Sequence, residues 1–343
     1  MRVAPLTFEH DSRAPDAVPC GTAGPARADV GTSIIVSCVQ RKRVPVLDEL
    51  SLRNIGNDVG GRRSARWIER LQSIIESTVP ARELYAGEFW SVARRLASAS
   101  HGRGVAAELW IASAGYGLVR ESTPLKPYSA TFAAGEDAIA AVDAAAWWAD
   151  LAGWRLANEA VRSVADLASL RPGGAILVVA SPAYLRAMSS DVLAAAELLH
   201  NRERLVVLSS SRATRTPLSA HVVSVEAPLR AVLGGSLHAL GARVARAILE
   251  DLPSGGLTIA FARNVVAALR RTAPVAIAID RTRATDREVR TFIAAALADA
   301  PIGWSKLLKR FRAGGRACEQ GRFRALYRAE VENRRADILE ALR

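Results

Sequence analysis

The sequence has few of the residues that bind metals or form disulfide bonds. Its 343 residues include three cysteines, Cys20, Cys38 and Cys318, which are far apart and share no paired spacing. Such a set argues against a disulfide framework and against a cysteine zinc site, and it fits a reducing cytoplasm. The five histidines show no His-x-x-x-His spacing, so we expect neither a metal nor a cofactor.

Long apolar segments are also missing. The longest run without a charged residue has about 14 residues, between Arg171 and Arg186, whereas a membrane-spanning helix needs roughly 18 to 20. Residues 1–30 mix proline, glycine, alanine and acidic residues without an apolar core, which predicts a flexible segment rather than a secretory signal. We therefore expect a cytoplasmic protein without a membrane partner.

Two common enzyme signatures are absent from the sequence. It contains no Gly-x-x-x-x-Gly-Lys phosphate loop, which weakens a role in nucleotide hydrolysis, and no Gly-x-Ser-x-Gly nucleophile elbow. Apolar residues, by contrast, make up half of the sequence, which is enough for a substantial core.

Apolar, β-branched runs alternate with helical stretches, and this alternation predicts an α/β fold with a mainly parallel sheet. The architecture expected is a three-layer α/β/α sandwich around four strands. The strands are predicted at residues 34–39, 108–113, 175–180 and 205–209, with a further candidate at 222–225. Helices are predicted at residues 65–77, 89–99, 137–164, 183–200 and 233–252. The domains expected are a catalytic core at 31–230, an α/β or helical extension at 231–300 and a basic helical hairpin at 301–343.

The positive charge is unevenly distributed. The formal net charge is +12, and residues 301–343 hold 11 Lys and Arg against 5 Asp and Glu, which suggests a polyanion as partner. The family resemblance given below implies that this partner is double-stranded DNA. This section predicts a helix-turn-helix-like hairpin with its turn at residues 313–315. The residues expected to pack it are Leu307, Leu308, Phe311, Phe323, Leu326 and Tyr327, and those expected to face DNA are Lys306, Lys309, Arg310, Arg312, Arg316, Arg322 and Arg324. A hairpin with a solvated basic face is the alternative.

The first predicted strand runs directly into a basic loop. In open α/β sheets ligands bind at the carboxyl ends of the strands, so we expect Ser37, Cys38 and Arg41 to contact substrate and Arg43 to contact DNA. The positive charges of Arg41 and Arg43 favour the neutral form of Lys42, which a nucleophilic amine needs. A phosphate-bound Lys42 is the alternative.

Short blocks follow this loop in a fixed order: Pro80-Ala81-Arg82-Glu83-Leu84-Tyr85, Ser113-Ala114-Gly115-Tyr116-Gly117-Leu118 and Pro127-Tyr128. Together with Ser37-Cys38 and Lys42 they resemble a large bacterial family with Ser-Cys-x-x-x-Lys, Pro-Ala-x-Asp/Glu-Leu-Tyr and Ser-Ala-x-x-Gly-Leu blocks. The spacing of Cys38 and Lys42 also resembles a motif of archaeosine synthase, in which the lysine attacks a modified base. Strand count and loop placement are similar to those of the uracil-DNA glycosylase superfamily, although the classical motifs of its members are absent. The whole resembles the Brig-type antiviral DNA glycosylases, which remove modified bases from phage DNA.

These resemblances imply base excision, which needs a pocket for an extruded base and a group that acts at the sugar C1′. Lys42 is the expected nucleophile, Glu83 a base or a stabiliser of the sugar cation, and Gln40 a reader of the base edge. The residues expected to stack on or border the base are Tyr85, Tyr116, Tyr128, Ser113 and Gly117. A loop with Ser210, Ser211, Arg212 and Arg215 is expected to contact DNA.

The function predicted from the sequence is thus a DNA glycosylase acting on a modified base, such as glucosylated hydroxymethylcytosine. Two alternatives remain open: a base-modifying transferase of the archaeosine-synthase type, and a non-catalytic DNA-binding protein of the YaaA-like kind. The sequence leaves the oligomeric state undetermined.

Overall fold

The structure, a computed structural model, describes residues 31–56, 63–100, 105–156, 159–274 and 282–341. The described residues form two compact units, which divide after Pro274. The division after Pro274 differs from the boundaries predicted at residues 230 and 300, because helices within residues 231–274 pack against the sheet of the first unit. The segment predicted at residues 1–30 lies outside the described residues.

The first unit contains a six-stranded sheet and a separate two-stranded pair. Its strands are β1 Thr32–Ser37, β2 Val79–Pro80, β3 Ala107–Ser113, β4 Gly117–Arg120, β5 Pro124–Leu125, β6 Ala175–Val179, β7 Leu205–Ser209 and β8 Val222–Ser224. The large sheet has the order β4-β3-β1-β6-β7-β8, and β2 pairs with β5. Only β4 runs antiparallel to its neighbour in the large sheet; the other pairings are parallel.

The four predicted strands and the candidate at residues 222–225 are confirmed, and the α/β class with them. The prediction of a four-stranded sheet is wrong, since β4 and β8 extend the sheet to six strands. Every residue of β6 and β7 is buried, so both faces of the sheet are covered, as expected for parallel strands.

The helices of the first unit are α1 Arg63–Ser73, α2 Ala81–Leu84, α3 Glu88–Ala93, α4 Leu96–Ala99, α5 Ala144–Gly153, α6 Val164–Leu170, α7 Pro182–Leu198, α8 Arg230–Leu233, α9 Leu240–Glu250 and α10 Ile259–Thr272. Most of them form two packed groups. One group joins α5, α6 and α7, with α1 against α5, and the other joins α3, α4 and α10 to α9. Short 3-10 turns fill several connections, among them Ser211–Arg215.

The helix predicted over residues 137–164 is wrong in extent. Among the described residues of that range, only α5 and the first residue of α6 are helical, because Thr131 bridges to Ala138 before α5, and Ser163 caps α6 in a capping box formed with Asp166. Alanine-rich composition favours a helix but does not show where it begins and ends.

The second unit is built from three helices and two short strands in its described part. They are β9 Thr282–Arg283, α11 Asp286–Asp299, α12 Trp304–Ala313, β10 Arg316–Ala317 and α13 Gln320–Ala341. Phe311, Phe323 and Leu307 are fully buried in its core, and Leu308 and Leu326 nearly so, as predicted.

The hairpin predicted in the second unit differs from the structure in two ways. The segment after the glycine turn is first a strand, β10, paired in parallel with β9, so α13 begins only at Gln320. Helix α11, which lies in the region predicted only as an α/β or helical extension, is joined to α12 by residues 300–303, a connection of the length found in helix-turn-helix motifs.

No helix among the described residues is both long and apolar enough to cross a bilayer.

Candidate functional site

The carboxyl ends of the parallel strands lie along one edge of the sheet. β1 ends at Ser37, β3 at Ser113 and β7 at Ser209. The parallel strands, numbered along the chain, have the spatial order 2-1-3-4-5, in which the chain reverses its direction across the sheet between β1 and β6. In doubly wound sheets ligands bind at this reversal, outside the carboxyl ends of the strands.

A buried cluster of hydroxyls and a thiol occupies this edge on the Cys38 side of β1. The Tyr128 hydroxyl is 3.0 Å from that of Tyr85 and 2.7 Å from Ser113 Oγ, and it donates to Cys38 Sγ at 3.4 Å. Cys38 Sγ is also 3.1 Å from the Tyr184 hydroxyl. We call Cys38, Tyr85, Ser113, Tyr128 and Tyr184 the thiol–tyrosine cluster; each is at most 5% exposed.

Backbone groups complete the polar contacts of this cluster. The amides of Gly115 and Tyr116 donate to Ser113 Oγ at 3.3 and 3.0 Å, and the Ala114 amide is 3.5 Å from Cys38 Sγ. Burial raises the pKa values of Tyr85, Tyr128 and Tyr184 well above that of an exposed tyrosine. These phenols are therefore neutral donors near pH 7.

The tyrosines predicted to stack on a base instead pack against one another. Tyr116 meets the Tyr128 ring edge-on at 5.3 Å and stacks on Trp154 at 5.8 Å. A Cβ at Gly115 would lie 2.5 Å from the Tyr128 ring, so this glycine permits the close approach of backbone and ring. Gly117, with φ +74°, forms the turn into β4, and a Cβ there would lie 3.2 Å from that of Leu151. In this conformation the predicted stacking surface is closed.

Lys42 lies against the thiol–tyrosine cluster. Its Nζ is 4.6 Å from the Tyr128 ring centre and 5.1 Å from that of Tyr85. The position is fixed by the backbone, since Lys42 and Tyr85 form an antiparallel bridge. Nζ donates hydrogen bonds to the Val39 and Gln40 carbonyls at 2.8 and 3.2 Å.

The pKa of Lys42 is lowered from 10.5 to about 8, chiefly because burial disfavours its charge. The nearby Cys38 and Asp137 act in the opposite direction. A lowered pKa of Lys42 is therefore as predicted, but its cause is burial rather than the charges of Arg41 and Arg43, since both arginines are exposed to solvent. A neutral amine becomes accessible at mildly alkaline pH.

The remaining residues predicted around the first loop point to solvent rather than into the cluster. Glu83 is exposed and lies 3.7 Å from Arg43, so these two side chains form a surface ion pair. Gln40 is exposed, with its Nε2 beside Gly135. The structure thus brings Lys42 to the buried cluster and leaves Glu83 and Gln40 outside it.

The second predicted DNA-contacting loop forms a 3-10 turn after β7. Ser211 and Arg215 are exposed and Ser210 is half-buried, which leaves them accessible to a partner. The side chain of Arg212 lies outside the described part of the structure.

Two residues of the site were not predicted from the sequence. Tyr184 lies in the first turn of α7, directly after β6, and the strand end followed by Ser181 and Pro182 was a signal that this turn faces the ligand edge. Asp137 is buried and accepts from Ser129 Oγ at 2.7 Å and from the Arg53 amide at 2.9 Å. It lies in an irregular loop, where no periodic pattern marks a residue as buried.

The basic residues predicted in the second unit fall into two groups. The exposed ones, accessible to a polyanion, are Lys306, Lys309, Arg310 and Arg324, of which Arg324 also lies 5.5 Å from the Trp304 ring centre. The others contact their own unit: Arg312 donates to the Cys318 carbonyl at 2.9 Å, Arg316 lies 4.4 Å from the Phe311 ring centre, and Arg322 pairs with Asp286 at 2.6 Å. Helix α12 carries three of the four exposed cations.

Comparisons with known proteins returned no match to this chain, whether against protein-family models, curated proteins or solved structures.

Proposed function

We propose that this chain is a DNA glycosylase that excises a modified base, such as glucosylated hydroxymethylcytosine, from phage DNA. The observation that carries the proposal is the amine of Lys42. It lies in the loop that follows the first sheet strand, and burial lowers its pKa to about 8. Amines with a lowered pKa are the nucleophiles of Schiff-base chemistry.

In the proposed reaction the neutral Lys42 Nζ attacks the sugar C1′ of an extruded nucleotide. The bond from C1′ to the base nitrogen breaks, and the base leaves with the bonding electron pair and takes up a proton. Loss of a proton from Nζ and opening of the sugar ring give a Schiff base. Water then hydrolyses it, which restores the amine and leaves an abasic site. Solvent-exposed Glu83 has no assigned step in this scheme.

The second unit supports the same proposal, in which it is the part of the chain that binds DNA. Lys306, Lys309 and Arg310 are exposed on one helix that follows a short turn, an arrangement suited to contacts with phosphates. We propose that these three side chains hold the duplex, so their loss weakens DNA binding and lessens its salt dependence.

The decisive experiment incubates the protein with unmodified and hypermodified phage DNA. We expect a free modified base by mass spectrometry, alkali-labile sites on gels, and a protein–DNA adduct after borohydride reduction. Lys42→Ala and Lys42→Arg are expected to abolish the adduct, whereas the matched control Arg271→Ala, which removes an exposed cation at the end of α10, retains it. Base release without an adduct contradicts the amine mechanism, and no base release from any modified DNA contradicts the glycosylase.

One observation favours a second candidate, a DNA-binding protein without catalytic activity. The hydroxyls beside Lys42 are paired with one another, and Lys42 Nζ is itself held by loop carbonyls. In that case the incubation yields salt-sensitive DNA binding, unchanged DNA and no adduct.

A further inference from the structure

A cavity of about 300 Å³ opens at the carboxyl ends of β1, β6 and β7, on the Ser37 side of β1. Ser37, Val179 and Ser209 belong to its wall, together with residues at the beginnings of α7 and α9. We call it the serine cavity. It lies at the reversal of the sheet, and its volume is at the lower end of the range for small-molecule sites.

Two helices begin at the serine cavity. Ser181 and Pro182 at the start of α7 line it, and so do Leu240 and Gly241 at the start of α9. The Ser181 side chain makes no capping hydrogen bond to α7, whereas at α9 the Ala239 amide donates to Ser236 Oγ and the Leu240 amide to the Leu237 carbonyl. The first amides of a helix carry partial positive charge and lack partners within the helix, so the beginning of α7 favours an anion in the cavity.

An independent observation comes from Ser209, which also lines the cavity. The residue is 4% exposed, and its Oγ has no hydrogen-bond partner among the described residues. A buried hydroxyl without a partner costs free energy, and a ligand oxygen would supply the missing hydrogen bond. Hydroxyls of Ser37, Ser181 and Ser210 lie along the same wall.

The other wall is apolar and aromatic. Phe89 and His238 line it with their ring centres 5.5 Å apart, beside Leu237, which is 56% exposed. The described residues that line the cavity include no Asp or Glu. The cavity therefore has an electropositive, polar wall at the beginning of α7 and an aromatic wall on which a flat ring can pack.

We propose that the serine cavity binds a nucleotide, with its phosphate at the beginning of α7 and at Ser209, and with its base against Phe89 and His238. The inference is independent of the glycosylase proposal, because it involves neither Lys42 nor base release. The nucleotide is either a free monophosphate or part of a DNA strand, which share this chemistry.

The test titrates the full chain with deoxycytidine monophosphate, deoxycytidine and a short single-stranded oligodeoxynucleotide by calorimetry. We expect the monophosphate to bind at least about tenfold more tightly than the nucleoside, since the phosphate provides the charge-assisted contacts. Binding by the oligonucleotide alone, with the same response to the variants below, assigns the site to a DNA strand. No binding by any of the three overturns the proposal.

Two variants separate binding from folding. Ser181→Asp supplies a favourable N-cap for α7 but places a negative charge in the cavity, so melting temperature is retained while nucleotide affinity falls by about tenfold or more. Ser209→Ala removes the unpartnered hydroxyl and is expected to weaken binding about tenfold without loss of stability. Ser190→Ala, an exposed position on the same helix, is the matched control and binds as the native chain does. Native affinity in both cavity variants overturns the proposal.

Discussion

The two sides of the carboxyl end of β1 differ in how their polar groups are satisfied. On the Cys38 side, the hydroxyls of Tyr85, Ser113 and Tyr128 bond to one another in a buried interior. On the Ser37 side, Ser209 lines an open cavity, and its buried hydroxyl has no partner among the described residues. A closed network stabilises the fold, whereas an unsatisfied group beside space is suited to receive a ligand. Ser37, the last residue of β1, and Cys38, directly after it, thus lie on an open and a closed side of the sheet edge.

The largest effect is expected from breaking the closed side at Gly115. Gly115→Ala places a Cβ 2.5 Å from the Tyr128 ring, so ring or backbone must move, and the free energy of unfolding should fall by about 3 kcal/mol. Urea unfolding measures the loss. Gly153→Ala is the matched control, because nothing lies within 4 Å of the added Cβ. Equal stability of the two variants would contradict the close packing described here.

A smaller loss is expected from Tyr128→Phe. The variant removes the hydroxyl shared by Tyr85, Ser113 and Cys38 and leaves buried groups unpaired, at a cost of about 1–3 kcal/mol. Urea unfolding of Tyr85→Phe and of the double variant completes a cycle. We expect the two effects to be non-additive, because the hydroxyls bond to each other. Simple additivity would show that the cluster is not a coupled network.

The pH dependence of stability tests the burial of Lys42. Its pKa is about 8 in the folded chain and 10.5 as the reference value, so the unfolded state binds more protons between these pH values and stability rises with pH. Tyr85 and Tyr128 have the opposite effect above pH 10, because their pKa values are raised on folding. Denaturant unfolding from pH 7 to 10 should show a rise in the native chain that Lys42→Met lacks. A flat native profile would contradict the burial.

The smallest effect is expected on the open side. Ser209→Ala deletes a hydroxyl that makes no hydrogen bond within the described residues, so stability without ligand should change by less than about 0.5 kcal/mol or rise slightly. This sign, opposite to that of Tyr128→Phe, sharpens the contrast between the two sides. A loss of stability comparable to that of Tyr128→Phe would show that Ser209 has a structural partner.

The sequence predicted the sheet better than the site. Runs such as Ile34-Ile35-Val36 are β-branched and fully buried, so local composition and final environment agree. The sequence predicts that Tyr85 and Tyr128 stack on a base, but in the structure their hydroxyls meet each other through pairing of segments far apart in the chain. Tertiary contacts of that kind leave no periodic signal.

The second unit illustrates the same limit. The alternation of apolar and basic residues identified its core at Leu307, Phe311 and Phe323, since an amphipathic helix shows its packing face in its own sequence. It did not distinguish cations on the surface from Arg316, which lies over the rings of Phe292 and Phe311. Arginine serves both purposes, and only the folded neighbours decide between them.

The short outer strands of the large sheet have a consequence for self-association. The sheet ends at β4, Gly117–Arg120, on one side and at β8, Val222–Ser224, on the other. Each edge offers another chain only a few backbone groups to pair with, a device by which natural sheets resist edge-to-edge aggregation. The sheet therefore offers little edge to which a strand of another chain could be added. We expect an oligomer of this chain to assemble through side-chain surfaces instead.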